Sequence, residues 1–264
     1  MIIVKKKFVL KKSQLGKKFR VENNNLDISA LTSNSGYEVK RLGDVAPAHK
    51  NKRNVKETID TAYKYVAIGD IDIHLGRIKS FTKCTGKTIP NNGKRIMKYG
   101  DIIVSTRRPT RGAIVTVPID FNNEICTVFF TSLTVLNWED TDPFYISLFL
   151  RTSLGRLQFQ SMITETAYPV ISDEDVENII ILFPPIEKQR ELVKEYHNSV
   201  ENFFVKLNEA YSSITNSRQN IETTLLGNAA EKIAPIKFGL EVEENVNDND
   251  NSEEGTEEAT SDNN

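Results

Sequence analysis

Residues 168–192 read YPVISDEDVENIIILFPPIEKQREL. An apolar run, Ile179 to Phe183, meets Pro184 and Pro185 and passes at once into a charged, helix-forming sequence. Neither proline has an N–H to donate to a ladder, so a buried strand must end there. Pro185 also presets φ for a helix entrance, and Glu187 sits at the positive end of the helix dipole. From Ile186 to about Leu226 apolar residues fall at Leu192, Tyr196, Val200, Phe203, Leu207, Tyr211, Ile214, Ile221 and Leu225, nearly all three, four or seven apart. That spacing lays one stripe along one helix. Its period is roughly 3.67 residues per turn, which fits a near-straight pairing rather than a tight left-handed coil. Such a helix extends ~60 Å, too far to pack along a globular body of this size. The spacing therefore predicts a partner helix.

Upstream, from Tyr37 to about Phe183, short strand-like runs are separated by turn signals. They are Lys64–Ile68, Gly76–Ile78, Asp101–Ser105, Ala113–Val117 and Leu133–Leu136, with Asn91–Asn92–Gly93 and Asn122–Asn123 marking loops. Helices are expected at Pro143–Phe159, capped by Asp142 with Pro143 in first position, and at Ser172–Val176. There Asp173, Glu174 and Asp175 crowd the positive end of the dipole behind the Ser172 cap. The class is α+β with the β part dominant: a globular domain over 36–185, then a long helix over 186–230. Residues 1–35 read as a short lead-in with a strand at Ile2–Leu10, interrupted by Lys5 to Lys7.

The chain has 264 residues, 39% hydrophobic and 27% charged, ordinary for a soluble globular protein. No apolar run approaches the ~20 residues of a membrane helix. The first residues, MIIVKKKFVLKKSQ, place the apolar pair before the lysines, the reverse of a secretory signal. The chain reads as cytoplasmic, with no membrane partner. Cys84 and Cys126 are too few for a disulfide framework, and His49, His74 and His197 are scattered, so no metal site is expected.

The charge is uneven. Thirty-four Lys and Arg face 36 Asp and Glu, but residues 241–264 hold ten of those acids and no base. Residues 1–240 thus set 34 basic against 26 acidic residues, a net +8. The acidic tail, 231–264, has too little apolar content at its end to offset the entropy of ordering, so it is expected to be disordered. A solubilising tail is the plain reading; a mimic of DNA that competes for the basic face is the sharper one.

From Ser35 to Asp120 there are 17 Lys or Arg against 8 Asp or Glu. One cluster is His49-Lys50-Asn51-Lys52-Arg53-Asn54; the other is Thr106-Arg107-Arg108-Pro109-Thr110-Arg111-Gly112, a loop between two strands. Lys94, Arg95 and Lys98 lie just before the second strand pair. Such clusters supply the phosphate attraction that dominates nucleic-acid affinity. Arginines on a loop can present bidentate donors to guanine, and Asn51 and Asn54 can read adenine in the same way. A solvated basic face is the plain alternative for any single lysine. For the arginine loop, three guanidinium groups in five positions repel one another unless an anion is near, and Pro109 stiffens the loop. Thr164, Thr166 and Tyr168 form a second candidate contact loop.

Signatures of catalysis are missing from the sequence. Phe183-Pro184-Pro185-Ile186 lacks the Asn or Asp of an amino-methyltransferase motif, no glycine loop precedes a helix, and no GxxxxGK[ST] loop occurs. Glu38-Val39-Lys40 ends like a nuclease core but has no acid on a preceding strand.

Five stretches in order resemble the specificity subunits of type I restriction–modification systems. YEVKRLGDVAP resembles the opening of their target-recognition domain. YKYVAIGDIDIHLGRI and YGD-IIVSTRRPTRG are similar to its two central strand–turn elements, TETAYPVISDEDVENI to its polar loop and acidic helix start, and ENIIILFPPIEKQREL to its closing element. The resemblance covers residues 37 to about 226. It implies a β-rich target-recognition domain followed by one long helix that pairs as an antiparallel coiled coil. A full subunit has two domains and two helices, so this chain resembles a half subunit. Glu165 stands where the family commonly has glycine, and the lead-in and acidic tail have no counterpart.

The resemblance implies a non-catalytic subunit that reads one half of a bipartite double-stranded DNA target and docks an adenine methyltransferase subunit. S-adenosylmethionine, ATP and Mg²⁺ are then expected on partner subunits, the last two with a restriction/translocase subunit, and no cofactor in this chain. The long helix would join a second copy or a different half subunit. The expected DNA contacts are Lys50, Lys52, Arg53, Lys94, Arg107, Arg108, Thr110, Arg111 and Thr166. Two other readings stand beside this one: a DNA-binding adaptor or scaffold of a phage-defence complex without sequence choice, and a small enzyme.

Overall fold

Ile180–Phe183 is a strand, and the prolines end it as expected. The computed structural model describes residues 35–51, 59–163, 169–227 and 243–244. The strands are β1 (Glu38–Arg41), β2 (Ala48–His49), β3 (Ala62–Val66), β4 (Ile71–Asp72), β5 (Arg77–Ile78), β6 (Ser80–Thr85), β7 (Gly93–Ile96), β8 (Ile102–Ser105), β9 (Ile114–Thr116), β10 (Ile125–Thr127), β11 (Phe130–Leu133), β12 (Ile180–Phe183) and β13 (Glu243–Glu244). The helices are α1 (Leu42–Val45), α2 (Pro143–Arg151), α3 (Ser153–Met162), α4 (Asp173–Glu177) and α5 (Ile186–Leu226).

β12 pairs antiparallel with β1, Glu38 facing Phe183 and Arg41 facing Ile180, so the domain's first strand lies beside its last. Two larger sheets form the body, in the orders β2-β11-β8-β9 and β13-β6-β3-β10-β7. In β8 the side chains alternate with the pleat. Ile102 and Val104 enter a core with α2, α3 and the base of α5, whereas Ile103 enters a second core with Val66, Phe81, Met97 and Phe130. The same split recurs in β9 at Ile114 and Val115. A strand buried on both faces reads as an unbroken apolar run, which is why Ile102-Ile103-Val104 was legible.

Two expectations are corrected. Pro143–Phe159 is two helices: Thr152 ends α2, and its Oγ1 accepts from Gly155 N at 3.3 Å to cap α3. Gly155 permits this break, because a Cβ there would lie 2.4 Å from Leu150 O. The strand expected at Leu133–Leu136 is Phe130–Leu133; beyond it Thr134 turns to Asp101 (Oγ1 to Oδ1, 2.6 Å) and Leu136 is exposed. Glu243–Glu244 runs parallel to Ser80–Phe81, and the rest of the acidic tail, 231–242 and 245–264, lies outside the described residues. The strand at Ile2–Leu10 lies outside the described residues.

The root of α5 is built into the body. Gln189 is fully buried, and its Nε2 donates to Asp140 O (2.9 Å) and Pro184 O (2.8 Å) while its Oε1 accepts from Asp142 N (2.9 Å). Asp142 in turn caps α2 through Phe144 N. One amide therefore ties the double proline, the helix entrance and α2 together. Leu192 packs against the core, and Tyr196 Oη lies 3.1 Å from Leu75 O and 3.2 Å from Arg151 Nη1. Val200 lines, with Val193, Val115 and Phe144, a cavity of about 230 Å³ between helix and body. Arg77 then covers the Phe204 ring at 4.5 Å.

Leu192, Tyr196 and Val200, expected to face a partner helix, are thus engaged by the chain's own body. Farther out, Phe203, Tyr211, Ile214, Ile221 and Leu225 are exposed and Leu207 half-exposed. No described helix is long and apolar enough to cross a membrane.

Candidate nucleic-acid interface

Between β8 and β9 the chain makes a tight excursion that exposes its arginines. Arg108 adopts the left-handed region (φ 48°), Pro109–Arg111 form a 3-10 turn, and Gly112 is left-handed again (φ 78°). The left-handed position at Arg108 is uncommon for a residue with a Cβ. Neighbouring bonds hold it. Ser105 Oγ donates to Arg107 O (2.7 Å) and Thr106 Oγ1 to Phe129 O (2.7 Å). Arg107 forms an antiparallel bridge with Val170, through Arg108 N to Pro169 O (2.9 Å) and Ile171 N to Thr106 O (3.0 Å). Arg156 of α3 donates to Thr110 O at 3.2 Å.

Within this frame the Arg107 guanidinium lies over the Phe129 ring, 3.7 Å from its centroid. Stacking holds the plane of the fork while leaving its N–H edges toward solvent, the arrangement suited to bidentate recognition. Arg107 and Arg111 are exposed, Arg108 and Thr110 half-buried. Thr110 contributes a carbonyl to the scaffold, whereas the exposed guanidinium groups are the ones aimed outward.

Other loops are stitched beside this one. Ile96 N donates to Asn51 O (3.0 Å), Val128 N to Asn92 O (2.8 Å) and Thr106 N to Phe129 O (2.8 Å). This brings the Lys50–Asn51 segment, Lys94 and the arginine loop to one rim, with Lys50 and Lys94 exposed. Asp173, at the start of α4, gathers what lies beneath. Its Oδ1 accepts from Thr131 (2.6 Å) and sits 3.9 Å from Arg95, and its Oδ2 lies 3.4 Å from Lys50. Arg95 is buried and donates to His49 O at 3.2 Å, so it braces the rim instead of contacting a ligand. The Lys50 pair is two-thirds exposed on the lysine side and contributes little to stability. Lys98 donates to Asn123, away from the arginines. Lys52, Arg53 and Asn54, and the loop of Thr164, Thr166 and Tyr168, lie outside the described residues.

Two residues of the rim were absent from the sequence reading: Phe129 and Asp173 in its bracing role. Phe129 was findable. In Phe129-Phe130 only one ring can face the core, and Phe130 is fully buried. The place of Asp173 in the first turn of α4 marks it as a helix-dipole residue, whereas its contacts with Thr131, Arg95 and Lys50 depend on packing that no local pattern encodes. Among the described residues no group of three or more His, Cys, Asp or Glu is placed to hold a metal ion.

A β-rich body with a stiffened arginine rim and a long helix rooted by one buried glutamine is the architecture of a recognition module on a strut. The family model of the type I restriction modification DNA specificity domain matches residues 34–203, and the chain belongs to that family. The HsdS subunit crystal structure from Thermoanaerobacter tengcongensis is similar at 29% identity and a TM-score of 0.56, over 72% of this chain and 47% of that one. A structure addressing complex assembly and conformational transition of the type I R-M system is similar at 26% identity and a TM-score of 0.58, over 74% of this chain and 49% of that one. The chain spans about half the length of each. No curated protein matches it.

Proposed function

We propose that this chain is the DNA-specificity component of a type I-like restriction–modification complex, reading one half of a bipartite target. The carrying observation is Arg107, its guanidinium stacked on Phe129 while its backbone is bridged to Val170. A guanidinium held on a stiff loop loses little freedom on binding, so it suits base readout; flexible lysines at 50 and 94 suit phosphates. The exposed outer half of α5 pairs antiparallel with a second such helix, which holds another recognition domain about one DNA turn (~34 Å) or a multiple of it away. Adenine methylation belongs to a partner subunit carrying S-adenosylmethionine, and any cleavage to an ATP- and Mg²⁺-dependent translocase subunit. This chain supplies recognition and the frame.

Selection from a randomised duplex library, with the chain assembled on its methyltransferase subunit, tests the reading. An enriched split motif is expected, and Arg107→Ala should cost ~1–3 kcal/mol at one base position while relaxing choice there. Equal weakening of every duplex would instead make the chain an adaptor without sequence choice. A palindromic motif follows if two copies pair, an asymmetric one if the second helix belongs to a different half subunit.

A further inference from the structure

Between the root of α5 and its exposed outer stripe, a small hairpin holds the helix at two further points. β4 and β5 pair antiparallel, Ile71 facing Ile78 and Asp72 facing Arg77, and both isoleucines are buried in the second core. Asp72 closes the turn between them. Its Oδ1 accepts from His74 N (2.9 Å) and Leu75 N (3.0 Å), and its carbonyl from Gly76 N (2.7 Å). The tip of this turn meets Tyr196, whose hydroxyl lies 3.3 Å from His74 O and 3.1 Å from Leu75 O. Arg151 of α2 completes the contact, its Nη1 donating to Tyr196 Oη (3.2 Å) and His74 O (3.4 Å). Gly76 is left-handed (φ 63°), and a Cβ there would lie 2.1 Å from Arg151 Cζ. Glycine is what lets the guanidinium lie against the turn. The next residue, Arg77, covers the Phe204 ring at 4.5 Å.

We propose that this hairpin is a clamp that fixes the angle of the strut, and that Gly76, Arg77 and Arg151 are positioning residues for the spacer length between the two halves of the target. The proposal rests on the chain's role as reader of one half of a bipartite site. It extends that role from which bases are read to how far apart the two halves must stand.

Leverage carries the argument. The buried root contacts, Gln189 and Val193, span one turn of helix, a short base for so long an arm. Ile214, in the middle of the exposed stripe, lies ~38 Å from Gln189 along the helix, so a tilt of ~10° moves it by ~7 Å, two base-pair steps of ~3.4 Å. The clamp lengthens the base. Its contacts at Tyr196 and Phe204 are eight residues, ~12 Å, apart along the helix. Between them a cavity of about 230 Å³ lies under Val200, so close packing does not set the angle there. The helix has room to swing toward the body, and the hairpin is what stops it.

The experiment uses the full chain assembled with a candidate methyltransferase subunit. The probe is a duplex library with both half-sites randomised and a spacer of every length up to one DNA turn, ~10 base pairs. The unmodified chain should enrich one spacer length. Arg77→Ala and Gly76→Ala should enrich the same half-site bases, while spacers one base pair longer or shorter gain about tenfold, because a freed strut adapts where a fixed one requires the DNA to deform. Arg77→Lys keeps a cation over the Phe204 ring and should retain the single length. Changed half-site bases in the alanine variants would mean that the hairpin acts on the rim, and would overturn the clamp. An unchanged single length in both variants overturns the clamp and leaves the recognition reading intact. An unmodified chain that takes every length equally overturns a fixed strut angle. No enriched motif from the unmodified chain overturns the recognition reading itself, and the clamp with it. Arg77→Ala introduces no backbone strain, so it decides the matter even where Gly76→Ala fails to fold.

Discussion

The inner and outer parts of α5 carry the same periodic pattern and meet opposite fates. From Ile186 to Val200 the stripe is engaged by the chain's own body: Gln189 ties three backbone groups, Leu192 joins the core, and Tyr196 reaches Leu75 and Arg151. From Phe203 to Leu225 the same kind of residue is exposed, Ile214 at 50% and Leu225 at 77%. Periodicity tells that a helix has an apolar face; it does not tell whose surface covers it. The inner part is rooted in the body, and the outer part presents an exposed apolar stripe.

The comparison breaks most sharply in the outer part. Ile214→Glu with Ile221→Glu should abolish pairing through the helix, weakening association by more than about 100-fold, since each lost apolar contact is worth ~1.5–3 kcal/mol. Light scattering of the chain over a concentration series, alone and mixed with a candidate methyltransferase subunit, reads this. Melting of the body should not move. If the double variant assembles normally, the outer stripe is not a helix-pairing surface.

The converse change acts at the root. Gln189→Leu keeps the volume but strands Asp142 N–H and the carbonyls of Asp140 and Pro184 in a dry site. It should cost about 2–4 kcal/mol, a fall in Tm of roughly 5–15 °C for a body of this size. An unchanged melt would mean that the amide does not hold root and body together. Tyr196→Phe sharpens the same point on a smaller scale. It removes only a hydroxyl, which donates to backbone carbonyls and accepts from Arg151, so about 1 kcal/mol is expected by denaturant titration, with no change in assembly.

The smallest effect concerns Cys126, fully buried in the second core. Burial pushes its thiol up to about 12, with the nearby Arg95 charge opposing only in part. Because the folded value is raised above the ~8.5 of a free thiol, the stability this group contributes is present in full below that ordinary value. It is lost as pH rises toward about 12. A thiol reagent at pH 8.5 should leave Cys126 unlabelled in the native chain and label it fully in denaturant; native labelling would place Cys126 outside a closed core.

The arginine loop shows how much of the rim local sequence carried. TRRPTRG between two apolar strands reads as a stiff basic turn because Pro109 fixes its φ and the apolar strands Ile102–Val104 and Ile114–Val115 anchor it, while Gly112 permits the left-handed turn that closes it. Arg95 was grouped with Lys94 by proximity in sequence, yet alternation along β7 buries one and exposes the other. The strands β1, β6, β7 and β10 escaped notice for a related reason. They are short and rich in Lys, Arg and Thr, and they became strands because neighbours offered ladders, not because their own residues demanded it.

Sequence by itself determined the features that depend on a residue and its near neighbours. The strand must stop at Pro184 for want of a donor, the helix must start just after Pro185, the stripe must run to Leu225, and Asp142 and Ser172 must cap. Tertiary structure alone decided which third of that stripe the body would take, which arginine would stack and which would brace, and that Glu243–Glu244 would lie beside β6. Those outcomes rest on surfaces brought together from residues up to 163 positions apart, and no local rule encodes which distant surfaces will meet.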